Sequence, residues 1–198
     1  KGFNKPRALE EVEIFDIIQK FAVAARLAKI SGFTGVQIHG AHGYLVSQFL
    51  SPNHNQRQDQ WGGSLENRMR FVREVYKAIR AEVGNNFPIG IKLNSADFMK
   101  GGFSEEDSMQ VIKQLSEDGI DLIEVSGGTY ESPAMVGHRD KADQAKASTV
   151  KREAYFLEYA ADIKAAIVCP LMVTGGFRTS EFIHEALEQE SLDLVGLG

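Results

Sequence analysis

The sequence predicts an α/β protein built on a parallel sheet. Short apolar runs rich in Val, Ile and Leu alternate with amphipathic runs, and a helical pattern separates each of the five apolar runs from the next. Strands joined by helical crossovers are parallel, and strands of this composition suit a sheet that helices cover. Five such units fit either an open doubly wound sheet or part of an eight-stranded (β/α)8 barrel.

The helices are predicted by apolar residues three and four positions apart and by capping residues at their ends. The first helix is followed by Gly32, which can end it, and Ser64 and Ser104 are placed to cap two later helices. In the first helix, the side chains that we expect to face the core are Ile14, Phe15, Ile18, Phe21, Ala22 and Ala25. The predicted helices are 8–31, 44–50, 64–84, 104–119, 153–166 and 179–189.

The five predicted strands are 36–39, 88–93, 122–125, 171–174 and 192–197. A long polar stretch, 127–150, follows the third strand, but no low-complexity linker divides the chain. We therefore expect one domain over residues 1–198.

Composition excludes several classes of protein. The 198 residues are 43% hydrophobic and 25% charged, with a net charge of −5 and no dense Lys/Arg run, which argues against a nucleic-acid surface. The single cysteine, Cys169, excludes an internal disulfide within this sequence. No stretch is apolar enough to span a bilayer, and residues 1–6 lack the apolar region of a signal peptide, so a cytoplasmic location is expected.

Two histidines directly follow the first strand. His39, His42 and Tyr44 lie in a glycine-flanked turn, where parallel α/β proteins place their active sites. Two neutral imidazoles offer two N–H donors to one oxygen, and the phenol of Tyr44 can deliver a proton. The alternatives at this point are a metal site, although no third ligand is near in sequence, and loop residues that merely bond to the backbone.

Lys92 and the glycines after the last two strands are further candidates. Lys92 ends an apolar strand, so its ammonium either meets an anion or electron-rich ligand or extends to water. Gly175 and Gly176 precede a predicted helix, where backbone N–H groups can bind a phosphate. Gly196 and Gly198 follow the last strand at the same predicted edge of the sheet. The alternative is that these turns simply need glycine for their backbone conformation. The polar segment 57–68 is expected to be structural, His54, His138 and His184 to lie on the surface, and Cys169 in the core.

The sequence around the histidines resembles the old yellow enzyme family of FMN oxidoreductases. The resemblance is carried by residues 35–52 (G-V-Q-I-H-G-A-H-G-Y-L through Q-F-L-S-P), by the adjoining N-x-R-x-D-x-W-G-G-S-x-E-N-R-x-R-F at 55–71, and by T-G-G-F at 174–177 and D-L-V-G-L-G at 193–198. Trp61 stands where the family usually has Tyr. The resemblance implies a partial (β/α)8 TIM barrel whose five strands correspond to strands four to eight.

The same resemblance implies a two-step hydride reaction. A nicotinamide cofactor, NADH or NADPH, reduces FMN, which then passes hydride to the β-carbon of an enone or nitroalkene. His39 and His42 would bind the substrate oxygen and Tyr44 would protonate the α-carbon. Lys92 matches the cation beside the flavin N1 and O2 region, and Gly175 and Gly176 match the phosphate site.

The family's first three strands have no counterpart before Lys1, and the match stops at Gly198. We therefore expect an incomplete, inactive barrel that binds FMN weakly or not at all. We also expect two open sheet edges through which a non-catalytic α/β fragment would form a homo-oligomer. A third possibility is a non-flavin lyase that binds phosphate at Gly175 and Gly176 and uses Lys92 as a Schiff-base amine.

Overall fold

The computed structural model describes residues 6–126, 159–175, 177 and 179–197. The helices are α1 (Glu11–Ile30), α2 (Leu45–Leu50), α3 (Leu65–Val83), α4 (Glu105–Asp118) and α5 (Ser180–Glu188), and residues 159–164 are also helical. The strands are β1 (Val36–Gly40), β2 (Ile89–Asn94), β3 (Leu122–Ser126), β4 (Leu171–Thr174) and β5 (Leu194–Gly196).

The five strands form one parallel sheet in the order β1-β2-β3-β4-β5. Each strand pairs with the one that follows it in sequence, which is the order in which consecutive strands of a (β/α)8 barrel lie. An open doubly wound sheet would instead change direction part-way through the strand order. The structure therefore confirms the predicted partial barrel.

Capping explains where the helices begin and end. The Ser64 side chain accepts a hydrogen bond from the Asn67 amide, and Ser104 does the same for Asp107, so each satisfies a donor that the first helical turn leaves unpaired. At its other end, α4 is closed by Gly119 in the left-handed conformation. Both predicted caps are confirmed.

The core lies between one face of the sheet and the helices. Side chains alternate between the two faces of a strand, and the apolar set on one face packs against α3 and α4 in a continuous buried cluster. Its fully buried members on the sheet include Ile91, Leu93, Ile123, Leu171 and Val173. The opposite face of the same strands, here called the inner face, carries the polar residues discussed below.

Some predicted details differ from the structure. Phe15 was expected to face the core but is 51% exposed, because the buried stripe of α1 runs through Ile14, Ile18, Ala22 and Ala25 and Phe15 lies beside it. Its ring makes a T-shaped contact with that of Trp61. The last strand is shorter than predicted, Leu194–Gly196 rather than 192–197. Of the predicted helix 153–166, residues 153–158 lie outside the described part of the chain.

No helix in the described ranges is long and apolar enough to cross a membrane.

Candidate functional site

The structure brings His39, His42 and Tyr44 together at the carboxyl end of β1. His39 is on the strand, and the centres of the His39 and His42 rings are 5.3 Å apart. The Tyr44 ring centre lies 4.9 Å from that of His39. Tyr44 stands immediately before α2, whose apolar side chains anchor the turn to the core. The chain therefore forms a compact cluster of two imidazoles and one phenol.

The backbone at His42 adopts an uncommon conformation. Its φ of 62° is in the left-handed region, which costs a non-glycine residue of the order of 1–2 kcal/mol. Two contacts hold it there: the His42 amide donates to Asn94 Oδ1 at 3.1 Å, and ring atom Nε2 lies 3.0 Å from Ser126 Oγ. These bonds come from the ends of β2 and β3, so the neighbouring strands fix the orientation of the imidazole.

Both histidines are biased toward the neutral form. Partial burial lowers the pKa of His39, the positive charge of Lys92 lowers it further, and Glu124 opposes the shift. The pKa of His42 is lowered by burial, by Lys92 and by His39, again opposed by Glu124. At neutral pH each ring therefore has one N–H donor and one acceptor nitrogen. A pair of neutral donors suits an oxygen on which negative charge develops.

The Lys92 ammonium is paired with a carboxylate and does not simply extend into solvent. Its side chain is 20% exposed, and Nζ lies 2.8 Å from Oε1 of Glu124, whose side chain is only 6% exposed. Glu124 also accepts hydrogen bonds from Gln37 Nε2 at 2.8 Å and from Thr174 Oγ1 at 2.5 Å. Four strands thus meet in one polar cluster on the inner face.

Sequence reasoning missed Glu124. A signal was present: Glu124 is the one charged residue in the strand Leu122–Ser126, and the argument that singled out Lys92 in its own strand applies equally to it. Burial raises the pKa of Glu124, but the hydrogen bonds from Lys92, Thr174 and Gln37 outweigh that effect and the net pKa is lowered. The carboxylate is therefore ionised at neutral pH.

Two of the four candidate glycines, Gly175 and Gly196, lie among the described residues. Gly175 follows β4 with a φ of +94° and nothing within 4 Å of the place where a Cβ would stand, so the backbone faces open space. Gly196 differs, because a Cβ there would lie 1.8 Å from Thr174 Oγ1. Its lack of a side chain makes room for the hydroxyl that donates to Glu124. Gly176 and Gly198 lie outside the described residues.

The polar segment 57–68 has the structural contacts expected of it. Arg57 pairs with Asp59 and donates to the Leu9 carbonyl, which ties the long loop to the start of α1. Arg68 is buried and bridges the Leu50 carbonyl and Asp107.

His54 lies in the loop after α2, His184 lies on α5, and Cys169 lies two residues before β4. His54 and His184 are exposed, and Cys169 is buried. His138 lies outside the described residues. Among the residues that the structure describes, no three His, Cys, Asp or Glu side chains are grouped to hold a metal ion.

Comparison with known proteins identifies relatives over almost the whole chain. Residues 2–198 match the family described as the NADH:flavin oxidoreductase / NADH oxidase family. The NADH-dependent flavin oxidoreductase iliE of Hypocrea jecorina is 41% identical over 99% of this chain and 49% of its own length. The NADH oxidase of Thermoanaerobacter brockii is 37% identical over 98% of this chain and 29% of its own length. The chain thus spans about half or less of the length of these curated relatives.

Solved structures also match the chain over almost its whole length. A 2-naphthoyl-CoA reductase in complex with 2-naphthoyl-CoA superposes with a TM-score of 0.85 at 34% identity, covering 96% of this chain and 28% of that one. An old yellow enzyme homologue from Zymomonas mobilis superposes with a TM-score of 0.77 at 26% identity, covering 99% and 51%.

Proposed function

The chain belongs to the NADH:flavin oxidoreductase / NADH oxidase family, and on that basis we propose that it carries the substrate-binding end of an FMN site that reduces activated alkenes. The observation that carries this proposal is the cluster of His39, His42 and Tyr44 beside the Lys92 ammonium, at the carboxyl end of a parallel sheet. FMN is the cofactor of the family, and NADH or NADPH is the reductant.

The donors on the inner face suit the polar edge of a flavin. That edge carries carbonyl oxygens and ring nitrogens that accept hydrogen bonds. An ammonium has three N–H donors and a carboxamide has two, so Lys92 and Gln37 each retain donors beyond the one given to Glu124. We assign Lys92 to this edge, and Gly175, with Gly176, Gly196 and Gly198, to the phosphate end. The open space at Gly175 and the start of α5 soon after it favour an anion there.

The chain's own residues supply the chemistry around the substrate oxygen. When bound, FMN supplies the hydride transfer that couples nicotinamide oxidation to alkene reduction. His39 and His42 each donate an N–H to the carbonyl or nitro oxygen of the substrate, which stabilises the negative charge that forms there. Tyr44, less than 5 Å from His39 by ring centres, donates its phenolic proton to the α-carbon.

An equilibrium titration of FMN fluorescence tests the cofactor assignment, because it measures weak as well as tight binding. Lys92→Ala removes a charge-assisted donor. Such a hydrogen bond contributes about 1.5–3 kcal/mol, so its loss is expected to weaken FMN binding by roughly 10- to 150-fold. Lys92→Arg keeps the cation and is expected to bind FMN nearly as well as the parent sequence. The matched control is Lys164→Ala, because Lys164 pairs with Asp193 away from the histidines. Equal affinity in Lys92→Ala and the parent would refute the assignment.

A second candidate function is self-association. In the described part of the sheet, β1 pairs only with β2 and β5 only with β4, so each outer strand has one edge without a partner strand. Such edges bind other strands readily. Sedimentation velocity over a range of concentrations tests this, and a monomer throughout the range would rule it out.

Lyase chemistry through a Schiff base has less support. A Schiff base forms from a neutral amine, whereas the Lys92 ammonium is paired with the buried Glu124 carboxylate. Borohydride trapping of Lys92 with a carbonyl compound would revive this alternative.

A further inference from the structure

Glu124 is an unusual residue for the middle of a sheet. It lies on β3 with a nearly fully buried side chain, and a buried carboxylate is costly unless it is paired and hydrogen-bonded. Its two oxygens accept from three side chains: Lys92 on β2, Thr174 on β4 and Gln37 on β1. The fold therefore assembles a complete set of donors around a single acid.

The strand register places Lys92 between this acid and the histidines. His39 faces Lys92 across the β1–β2 pairing, and Lys92 faces Glu124 across the β2–β3 pairing. The three side chains thus form a row across the inner face. A flexible lysine has four methylene groups and would otherwise sample many positions; its bond to Glu124 selects one.

The two charges act in opposite directions on the histidine pair. Lys92 disfavours protonation of His39 and His42, and Glu124 favours it. Among the residues that the structure describes, other ionisable groups near the pair are Tyr44 from the same turn and, reached through Asn94, the carboxylate of Asp97. Removal of Glu124 would leave the lysine charge uncompensated beside the substrate oxygen site.

We propose that Glu124 is a positioning residue of this site: it holds the Lys92 ammonium at one place on the inner face and balances its charge next to the histidine pair. Thr174 and Gln37 orient the carboxylate for this task. The effect on the histidines follows from the strand register and from the two charges within the chain. The effect on a bound flavin rests in addition on the proposed function above.

The direct test is a titration of the histidine signals by NMR in the chain without cofactor. His39 and His42 are assigned by substituting each with Gln. Glu124→Gln keeps the shape but removes the charge, and we expect both midpoints to fall below those of the parent. The matched control is Asp118→Asn, which breaks the ion pair with Arg73 between α3 and α4 and is expected to leave both midpoints unchanged.

A second variant separates position from charge. Glu124→Asp retains the negative charge but is one methylene too short to reach all three donors together. We expect the NMR cross-peak of the Lys92 ammonium, visible when an ion pair slows its exchange with water, to be lost in Glu124→Asp and to persist in Asp118→Asn. Unchanged histidine midpoints in folded Glu124→Gln, or a persistent Lys92 cross-peak in Glu124→Asp, would overturn the proposal.

A separate measurement with FMN bound distinguishes the role of Glu124 from the proposed function. With FMN bound, Glu124→Gln leaves a more positive site and is expected to raise the flavin midpoint potential relative to the parent. If a protein that contains this chain shows no FMN binding but the histidine midpoints shift as expected, the proposed function fails and the role of Glu124 stands. If FMN binds but neither the histidines nor the potential respond, the role of Glu124 fails alone.

Discussion

Lys92 Nζ lies 2.8 Å from Glu124 Oε1, and the two residues face each other on neighbouring parallel strands. The carboxylate is almost completely buried while the ammonium retains some exposure. The pair joins the middle of the sheet to the histidine turn, because Lys92 also faces His39 in the register of β1 and β2. Charge balance in this row is therefore part of both the stability of the protein and the proposed chemistry.

The Lys92–Glu124 pair is expected to show strong coupling in a double-mutant cycle. Lys92→Met leaves the buried carboxylate without its cation, and breaking a buried pair in this way costs about 3 kcal/mol or more. The double variant Lys92→Met with Glu124→Gln is expected to be more stable than Lys92→Met alone, because a neutral amide needs less compensation. Urea unfolding of the four proteins measures the coupling.

An exposed ion pair provides the control for that cycle. Lys20 and Asp16 are paired at 2.5 Å on the surface of α1, and such pairs contribute at most about 1 kcal/mol. If Lys92 and Glu124 couple no more strongly than Lys20 and Asp16, the buried pair does not stabilise this sheet.

The two histidines are expected to act together on the substrate oxygen. In a protein that contains this chain and retains FMN, His39→Ala or His42→Ala removes one donor and should lower kcat for 2-cyclohexen-1-one by about 100- to 1,000-fold. Steady-state NADH consumption gives kcat and KM. His184→Ala is the control, because His184 is exposed on α5 and pairs with Glu188. Retention of full activity in His39→Ala would exclude this role.

The lowered pKa values of His39 and His42 predict how stability depends on pH. The unfolded chain takes up these protons near pH 6.5, whereas the folded protein takes them up only at lower pH. The unfolded state therefore binds more protons in that window, and the free energy of unfolding falls as the pH drops below about 6.5. The contribution is fully present above that pH. The lowered pKa of Glu124 adds a further loss in the more acidic range where carboxylates titrate.

Chemical unfolding at a series of pH values measures this dependence. The double variant His39→Gln with His42→Gln is expected to show a flatter profile than the parent between pH 7 and the carboxylate range. A double variant with the same slope as the parent would show that the pair does not carry the effect.

Gly196 is expected to tolerate no side chain while Thr174 is present. A Cβ at this position would stand 1.8 Å from Thr174 Oγ1 and 2.8 Å from Thr174 Cβ, and β-branched threonine has little freedom to turn away. Gly196→Ala should cost about 1–3 kcal/mol of overpacking. Adding Thr174→Ala removes the clash with Oγ1 but keeps the 2.8 Å contact with the Cβ of residue 174, so it should recover only part of that loss. It also costs roughly 1 kcal/mol for the lost hydrogen bond to Glu124.

Gly90→Ala is the matched strand control for this experiment. A Cβ at Gly90 would meet Leu122 at 3.4 Å, close to ordinary contact, so thermal unfolding should change little. If Gly196→Ala is as stable as Gly90→Ala, the inner face is less closely packed around Thr174 than the structure indicates.

Local sequence signals predicted the elements well, because each rests on contacts within a few residues. Ser64 and Ser104 bond to amides three positions away, and Gly119 closes α4 in the left-handed conformation. The apolar spacing of α1 correctly predicted the buried side chains of Ile14, Ile18, Ala22 and Ala25. The same prediction was wrong for Phe15. Apolar spacing predicts the direction in which a side chain points, but it does not predict how wide a stripe of the helix the rest of the protein covers.

The sequence predicted the histidine turn of the candidate site but not the polar cluster around Glu124. His39, His42 and Tyr44 are adjacent in the chain, so their grouping followed from one turn. The partners of Glu124 lie 32 to 87 residues away on three other strands, and only the register of the sheet brings them together. A sequence pattern marks Glu124 as an acid in an apolar strand, but the choice of partner depends on tertiary structure.

Reduction of 2-cyclohexen-1-one with NADH in D2O, by a protein that contains this chain and retains FMN, tests the histidine turn as the substrate site. We expect cyclohexanone with one solvent deuterium at the α-carbon, and a large loss of product when both His39 and His42 are replaced by Ala but not when His184 is. A flavin-loaded protein that forms no cyclohexanone, or a double variant that forms as much as the parent, would contradict the assignment of the histidine turn as the substrate site.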